Sequence, residues 1–138
     1  MAGVFGVIAR WMDAAPEPPA SPLILLVEDD ASVRAALTFA LSIEGYSMQV
    51  FEDAEALLHL SNLPAPACLV LDQQLPGRSG VEALTVLRER GLAAPAILIT
   101  TQPGTGVRIA AQRLGARLVE KPLLGGVLSA ALREILGR

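Results

Sequence analysis

Between Leu23 and Leu136 the chain alternates, five times over, a short apolar run with a stretch of helical periodicity. Leu23 to Val27 is continuously apolar and too short for a helix, as expected of a strand buried on both faces. Ala31 to Glu44 follows, with Val33, Ala36, Leu37, Ala40 and Leu41 at helical spacing and Gly45 as its stop. The same alternation puts further strands at Tyr46 to Phe51, Ala67 to Leu71, Ala96 to Thr100 and Arg117 to Val119. The intervening helices fall at Ala54 to Leu60, Gly80 to Arg90, Thr105 to Leu114 and Leu124 to Leu136. Such a repeat implies a parallel sheet with helices on both faces, because right-handed crossovers carry each helix back over the sheet.

The chain has 138 residues, of which 52% are hydrophobic, enough for one globular domain with a real core. Closely spaced prolines from Ala14 to Pro22 favour an extended, semi-rigid linker. The division is therefore residues 1–22 as leader and Pro-rich linker and 23–138 as the domain. Net charge is −3 without any Lys/Arg stripe, which argues against direct nucleic-acid binding. No apolar stretch approaches the roughly 20 residues that span a bilayer, and the N-terminus lacks the charged head of a secretory signal. The single cysteine, Cys68, reads as a small core residue and favours a reducing, cytoplasmic setting.

Ligands of such sheets bind at the carboxyl ends of the strands, near the point where strand order reverses. Glu28 and Asp29 follow the first strand, Asp72 the third and Lys121 the fifth, while Thr100 closes the fourth, so residues far apart in sequence converge on one edge. Crowded carboxylates repel one another, and a hard, oxygen-preferring cation such as Mg²⁺ relieves that repulsion. An Asp carboxylate can itself attack phosphorus when the charges on both groups are neutralised. Lys121 is a compact point charge suited to that task, and the Thr100 hydroxyl can donate to a phosphoryl oxygen. Taken singly, each residue has a plainer reading. The acids after the first strand suit a helix N-terminus, with Asp30 chosen as N-cap or first-turn acid. Asp72 suits a turn, Thr100 a strand, and Lys121 a solvated position before Pro122. Their joint placement favours the phosphoryl-accepting site.

The sequence resembles the receiver domain of bacterial two-component response regulators. Leu23-Ile24-Leu25-Leu26-Val27-Glu28-Asp29-Asp30 is similar to the family's first strand and acidic pair. Leu69-Val70-Leu71-Asp72, with Leu75-Pro76-Gly77 and Ser79-Gly80, is similar to its phosphoacceptor segment, and Ile97-Leu98-Ile99-Thr100 and Glu120-Lys121-Pro122 complete the likeness. The resemblance implies an α/β, flavodoxin-like, doubly wound five-stranded parallel sheet of order 2-1-3-4-5 with five helices. It implies phosphorylation on Asp72, with Thr100 and Lys121 assisting. Mg²⁺ would be held by Glu28, Asp29, Asp72 and the Gln74 backbone carbonyl. Gln74 and Gln102 take the positions through which the family tunes loss of the phosphoryl group, and the Lys121–Pro122 bond is expected to be cis.

Three features depart from the family pattern. Thr101 stands where a small Ala or Gly is preferred, Leu118 takes the place of a switching aromatic in a segment one residue short, and Gln102-Pro103-Gly104-Thr105-Gly106 is rich in helix breakers. His59, the sole histidine, reads as a solvated helix residue. In the leader, Val4, Phe5, Ile8, Trp11 and Met12 share one face if Met1 to Asp13 is helical, although Gly3 and Gly6 each cost roughly 1 kcal/mol relative to Ala. That stripe suits docking on the domain's own surface or a homodimer contact; the alternatives are a disordered segment or an overlong predicted start, and membrane or partner binding. The expectation is a stand-alone, chemotaxis-type receiver, a signalling module rather than an enzyme, since it catalyses only its own phosphorylation and dephosphorylation. It would take a phosphoryl group from a sensor histidine kinase or phosphotransfer protein and act by contact with a downstream protein. The competing readings are a phosphorylation-independent interaction module of the same fold and, more weakly, a small phosphate-ester hydrolase.

Overall fold

The structure is a computed structural model that describes residues 21–123 and 126–137. Five parallel strands, β1 (Leu23–Val27), β2 (Ser47–Phe51), β3 (Cys68–Asp72), β4 (Ala96–Thr100) and β5 (Ala116–Glu120), form one sheet in the order β2-β1-β3-β4-β5. The helices between and after them are α1 (Ala31–Ile43), α2 (Ala54–Leu58), α3 (Gly80–Glu89), α4 (Thr105–Arg113) and α5 (Val127–Leu136). This is the doubly wound architecture and strand order that the resemblance implies.

Strand residues alternate between two cores because successive side chains leave opposite faces of the sheet. Leu25, Val27, Leu69, Leu71 and Leu98 pack with α2 and α3 on one face, and Ile24, Leu26, Val70, Ile97 and Ile99 pack with α1 and α5 on the other. Burying each such Leu or Ile contributes about 1.5–3 kcal/mol, so the central strands β1, β3 and β4 hold both layers to the sheet. Cys68 is fully buried, and burial pushes its thiol up to about 12.

Element ends differ from the sequence expectation in places that have local causes. The second strand starts at Ser47 rather than Tyr46, because the Tyr46 N–H turns back to the Leu41 carbonyl and closes α1. The third runs from Cys68 to Asp72, so Asp72 is the strand's last residue, paired beside Ile99, and not a residue after it. At the edge, β5 extends one residue beyond each expected end by pairing along β4 from Ala96 to Thr100. Helix α2 stops at Leu58, where the exposed His59 caps it. Helix α5 begins at Val127, three residues late, because Gly126 adopts a left-handed conformation (φ 78°) ahead of it. The fourth helix does start at Thr105, after Gly104, which gives it no side-chain cap. The leader, Met1 to Asp13, lies outside the described residues.

The apolar spacing of α1 does not mark a buried face. Only Leu41 is buried, whereas Val33, Ala36 and Ala40 are exposed, and Phe39 and Ile43 are 70% and 69% exposed. The helix's one charged residue, Arg34, turns away to the backbone carbonyls of Glu28 and Asp29.

Candidate functional site: an acidic pocket at the strand ends

The β1–β3 and β3–β4 registers align Val27 with Leu71 and Asp72 with Ile99, so Glu28, Asp72 and Thr100 arrive at one edge of the sheet. That edge lies where the strand order reverses between β1 and β3. Glu28, Asp72 and Thr100 are all buried, at 1–2% exposure, while Asp29 is exposed. The first turn of α1 is organised around them. Asp30 is its N-cap, accepting from the Ser32 and Val33 N–H groups, and the Asp30 N–H donates to Glu28 Oε1 at 3.2 Å. One of the three consecutive acids thus serves the helix, as expected, and two are left to the pocket.

Both Asp72 oxygens are held. The Lys121 Nζ donates to Oδ2 at 2.7 Å, and the Gln74 N–H donates to Oδ1 at 3.1 Å. The Lys121 backbone is itself fixed by its N–H, which donates to the Thr100 carbonyl at 2.8 Å, and the Lys121–Pro122 bond is cis as expected. Burial works against the Lys121 ammonium, yet the hydrogen bond and charge of Asp72, with Glu28 and Asp29, hold its pKa above the ordinary lysine value. Thr100 points into the same pocket, where its Oγ1 accepts a 3.3 Å hydrogen bond from Gln74 Nε2. Thr101 and Gln102 are exposed beside it, and Leu118 is half-buried, packed against the α2/α3 core.

Glu28, Asp29 and Asp72 each offer a carboxylate oxygen, and the three lie within 4.8 Å of one another. Glu28 is pushed up to about 7, first by burial and then by its side-chain interaction with Asp72. An all-oxygen, mutually repelling set of this kind fits a hard divalent cation such as Mg²⁺. The raised value also sets a pH dependence for the metal-free protein. Between pH 4.5 and about 7 the folded state keeps a proton that the unfolded chain has released, so stability falls as pH rises through that window. Glu28→Gln is therefore expected to raise stability by about 1–3 kcal/mol at pH 8 in chelator, and by little at pH 5. Thermal melts at the two pH values check this, and an equal gain at both would defeat it.

Two contributors to the site were given no role of their own from the sequence. Arg34 pins the Glu28–Asp29 backbone through the carbonyl bonds already described. Gly80, at the start of α3, lies so close to β3 that an added Cβ would stand 2.6 Å from the Asp72 carbonyl oxygen and 3.1 Å from Gln73 Cα. The sequence signal was the Ser79-Gly80 pair within the segment that carries the resemblance, with a glycine directly after the N-cap Ser79 where an alanine would normally favour the helix. Because the closest obstructing atom is backbone, with Leu98 Cδ2 also at 3.0 Å, Gly80→Ala is expected to destabilise the fold by about 1–3 kcal/mol and to displace Asp72. A urea titration that showed the variant more stable, as helix propensity alone predicts, would refute the steric account.

Comparison with known proteins agrees with this fold. A family model for the response regulator receiver domain matches residues 24–133. The chain is 33% identical over 121 residues to the transcriptional regulatory protein FixJ of Azorhizobium caulinodans, covering 87% of this chain and 57% of that one. It is 34% identical over 116 residues to the response regulator MprA of Mycolicibacterium vanbaalenii, covering 83% and 50%. Among solved structures, the Vibrio cholerae chemotaxis protein CheY4 superposes with a TM-score of 0.78 at 22% identity, covering 85% of this chain and all (100%) of that one. The chain belongs to the response regulator receiver domain family, the phosphoacceptor signalling modules of two-component systems. It spans about half the length of the curated relatives it matches. Receiver domains bind Mg²⁺ at an acidic pocket and interact with histidine kinases and downstream effectors. No helix among the described residues is long and apolar enough to cross a membrane.

Proposed function

We propose that this chain accepts a phosphoryl group on Asp72 from a histidine kinase or phosphotransfer protein and passes the signal on by protein contact. The observation that carries the reading is the Lys121–Asp72 pair, with Lys121 Nζ 2.7 Å from a carboxylate that is buried beside Glu28 and Thr100 at the strand ends. In the transfer an Asp72 oxygen forms a bond to phosphorus as the bond from phosphorus to the donor's histidine nitrogen breaks. The electron pair stays on that nitrogen, and the ring, protonated on its other nitrogen, leaves as neutral imidazole. Glu28, Asp29, Asp72 and the Gln74 carbonyl are the proposed metal ligands. What Mg²⁺ supplies when bound is positive charge against the acceptor and phosphoryl oxygens. The Lys121 ammonium supplies a second positive charge, and the Thr100 hydroxyl donates to a phosphoryl oxygen.

Thr100 and Gln74 begin in contact, so drawing the Thr100 hydroxyl toward a phosphoryl oxygen loosens its bond from Gln74 Nε2. The β4–α4 loop that carries Thr101 and Gln102 follows Thr100, biasing a pre-existing equilibrium of the α4–β5 face. On this reading residues 23–138 are the receiver and 1–22 an appended leader and linker. A cytoplasmic setting belongs to the same reading, supported by the free, buried Cys68. The test is incubation with Mg²⁺ and a small-molecule phosphodonor followed by mass spectrometry. One added phosphoryl group, lost when Mg²⁺ is chelated, is the expected result, and an unchanged mass would overturn the assignment.

A further inference from the structure

The solvent side of α1 is largely apolar, interrupted only by Ser32 and Ser42, and carries no charge within the helix. Val33, Ala36, Phe39, Ala40 and Ile43 are all exposed, and the helix's one charged side chain faces the backbone of the Glu28–Asp29 segment. Next to it, Leu123 and the exposed Val127 of α5 continue the same surface. Between the two helices runs an open groove of about 490 Å³, lined mainly by Leu37, Phe39, Ala40, Ile43, Leu123 and Val127, with Glu44 and Ser129, hydrogen-bonded to each other, as its polar part. That is room for several side chains rather than one. A largely apolar face of this extent on a small domain marks a surface that something covers.

What lies near it in the chain is the leader. The domain begins beside the C-terminal end of α1, where the Pro22 carbonyl accepts the Ser47 N–H one residue after Tyr46 closes that helix. Everything before Ser21 lies outside the described residues, and its sequence carries a second apolar stripe, Val4, Phe5, Ile8, Trp11 and Met12. A Pro-rich linker from Ala14 to Pro22 reaches roughly 28 Å at about 3.1 Å per residue. That exceeds the ~20 Å length of α1 at 1.5 Å per residue, and Met1 to Asp13 as a helix would also be ~20 Å long. The reach, the length and the apolar character of the two surfaces therefore agree. A segment joined by so short a linker competes for the groove at an effective concentration on the order of millimolar, ahead of a second copy at ordinary protein concentration.

We infer that Met1 to Asp13 docks its apolar stripe into the α1/α5 groove of its own domain, opposite the α2/α3 layer and independently of Asp72 chemistry. The single tryptophan makes the full chain its own reporter. In the unmodified protein Trp11 is expected to emit as a buried indole, to resist iodide quenching, and to do both unchanged on dilution at monomeric mass. Phe39→Lys and, separately, Val127→Lys are expected to return Trp11 to a water-like emission and raise its quenching several-fold. Both sites are exposed in the domain alone, so the fold is kept, which circular dichroism verifies. Ile109→Lys, on the equally open surface of α4 (58% exposed), is expected to change nothing. A water-exposed Trp11 in the unmodified chain overturns the inference. So does shielding that survives both groove variants, or shielding that Ile109→Lys also removes. Shielding that disappears on dilution together with a fall in mass would assign the groove to a second copy and overturn it equally.

Discussion

Asp72→Asn is expected to abolish phosphoryl labelling completely while the protein stays folded. The amide is close in shape to the carboxylate, so the Gln74 N–H can still donate to its oxygen and the β3–β4 register at Ile99 need not change. What is lost is the charged oxygen that bonds to phosphorus, and a neutral amide is a poor nucleophile with no equivalent to offer. The same change alters the pocket's titration. Burial is the largest cause of the raised Glu28 value, and the interaction with Asp72 is the next. With Asp72 neutral, the Glu28 pKa is expected to move down toward the usual carboxylate range without reaching it. Mass spectrometry after donor treatment and a carboxylate titration read the two effects separately. Equal labelling of the variant would place the acceptor elsewhere, with exposed Asp29 the first alternative, whereas an unmoved Glu28 would mean that Asp72 does not set that carboxyl's environment.

The parts of this fold that were legible in the sequence are those where local chemistry decides the outcome. Strands β1 and β4 match their expected bounds to the residue, because each is a continuous apolar run with polar or proline neighbours. Asp30 could be assigned as N-cap because an acid next to a helix start has only a few local partners. What the sequence hid is tertiary. The ends of β5, Ala116 and Glu120, gave no strand signal of their own, and only pairing with β4 adds them. The periodicity of α1 identified its apolar residues but not whether anything covers them, and most are open to solvent. Gly80 acts through the backbone of β3, and the Gln74–Thr100 hydrogen bond joins residues 26 apart in sequence. The convergence of Glu28, Asp72, Thr100 and Lys121 was legible for the opposite reason. A parallel sheet sends every strand to the same edge, so a polar residue at the end of an apolar run already has its address.

Lys121→Met is expected to slow phosphoryl acceptance by 10²-fold or more, by analogy with the loss of one preorganised charge stabiliser in other reactions. Among the described residues Lys121 is the one cation within ion-pair distance of the pocket carboxylates, since Arg34 is turned to backbone carbonyls. Its removal leaves Asp72, almost fully buried, facing Glu28 and Asp29 without a counter-charge. In the metal-free protein Glu28, already raised to about 7 and now without the Lys121 charge that lowers it, then holds its proton still more tightly when folded, so the variant's deficit grows as pH rises through the Glu28 titration and is full above it. A loss of about 1–3 kcal/mol at pH 8 and distinctly less at pH 5 is the expected pattern, smaller than for a fully sealed pair because the Lys121 side chain is 26% exposed. Lys121→Arg should not restore the rate, because a planar guanidinium cannot reproduce a point charge 2.7 Å from Asp72 Oδ2 in a pocket shared with Thr100. Donor-dependent labelling kinetics at fixed Mg²⁺ and denaturant titrations at the two pH values measure both effects. A variant that labels as fast as the unmodified protein would remove Lys121 from the chemistry and leave it a purely structural partner of Asp72.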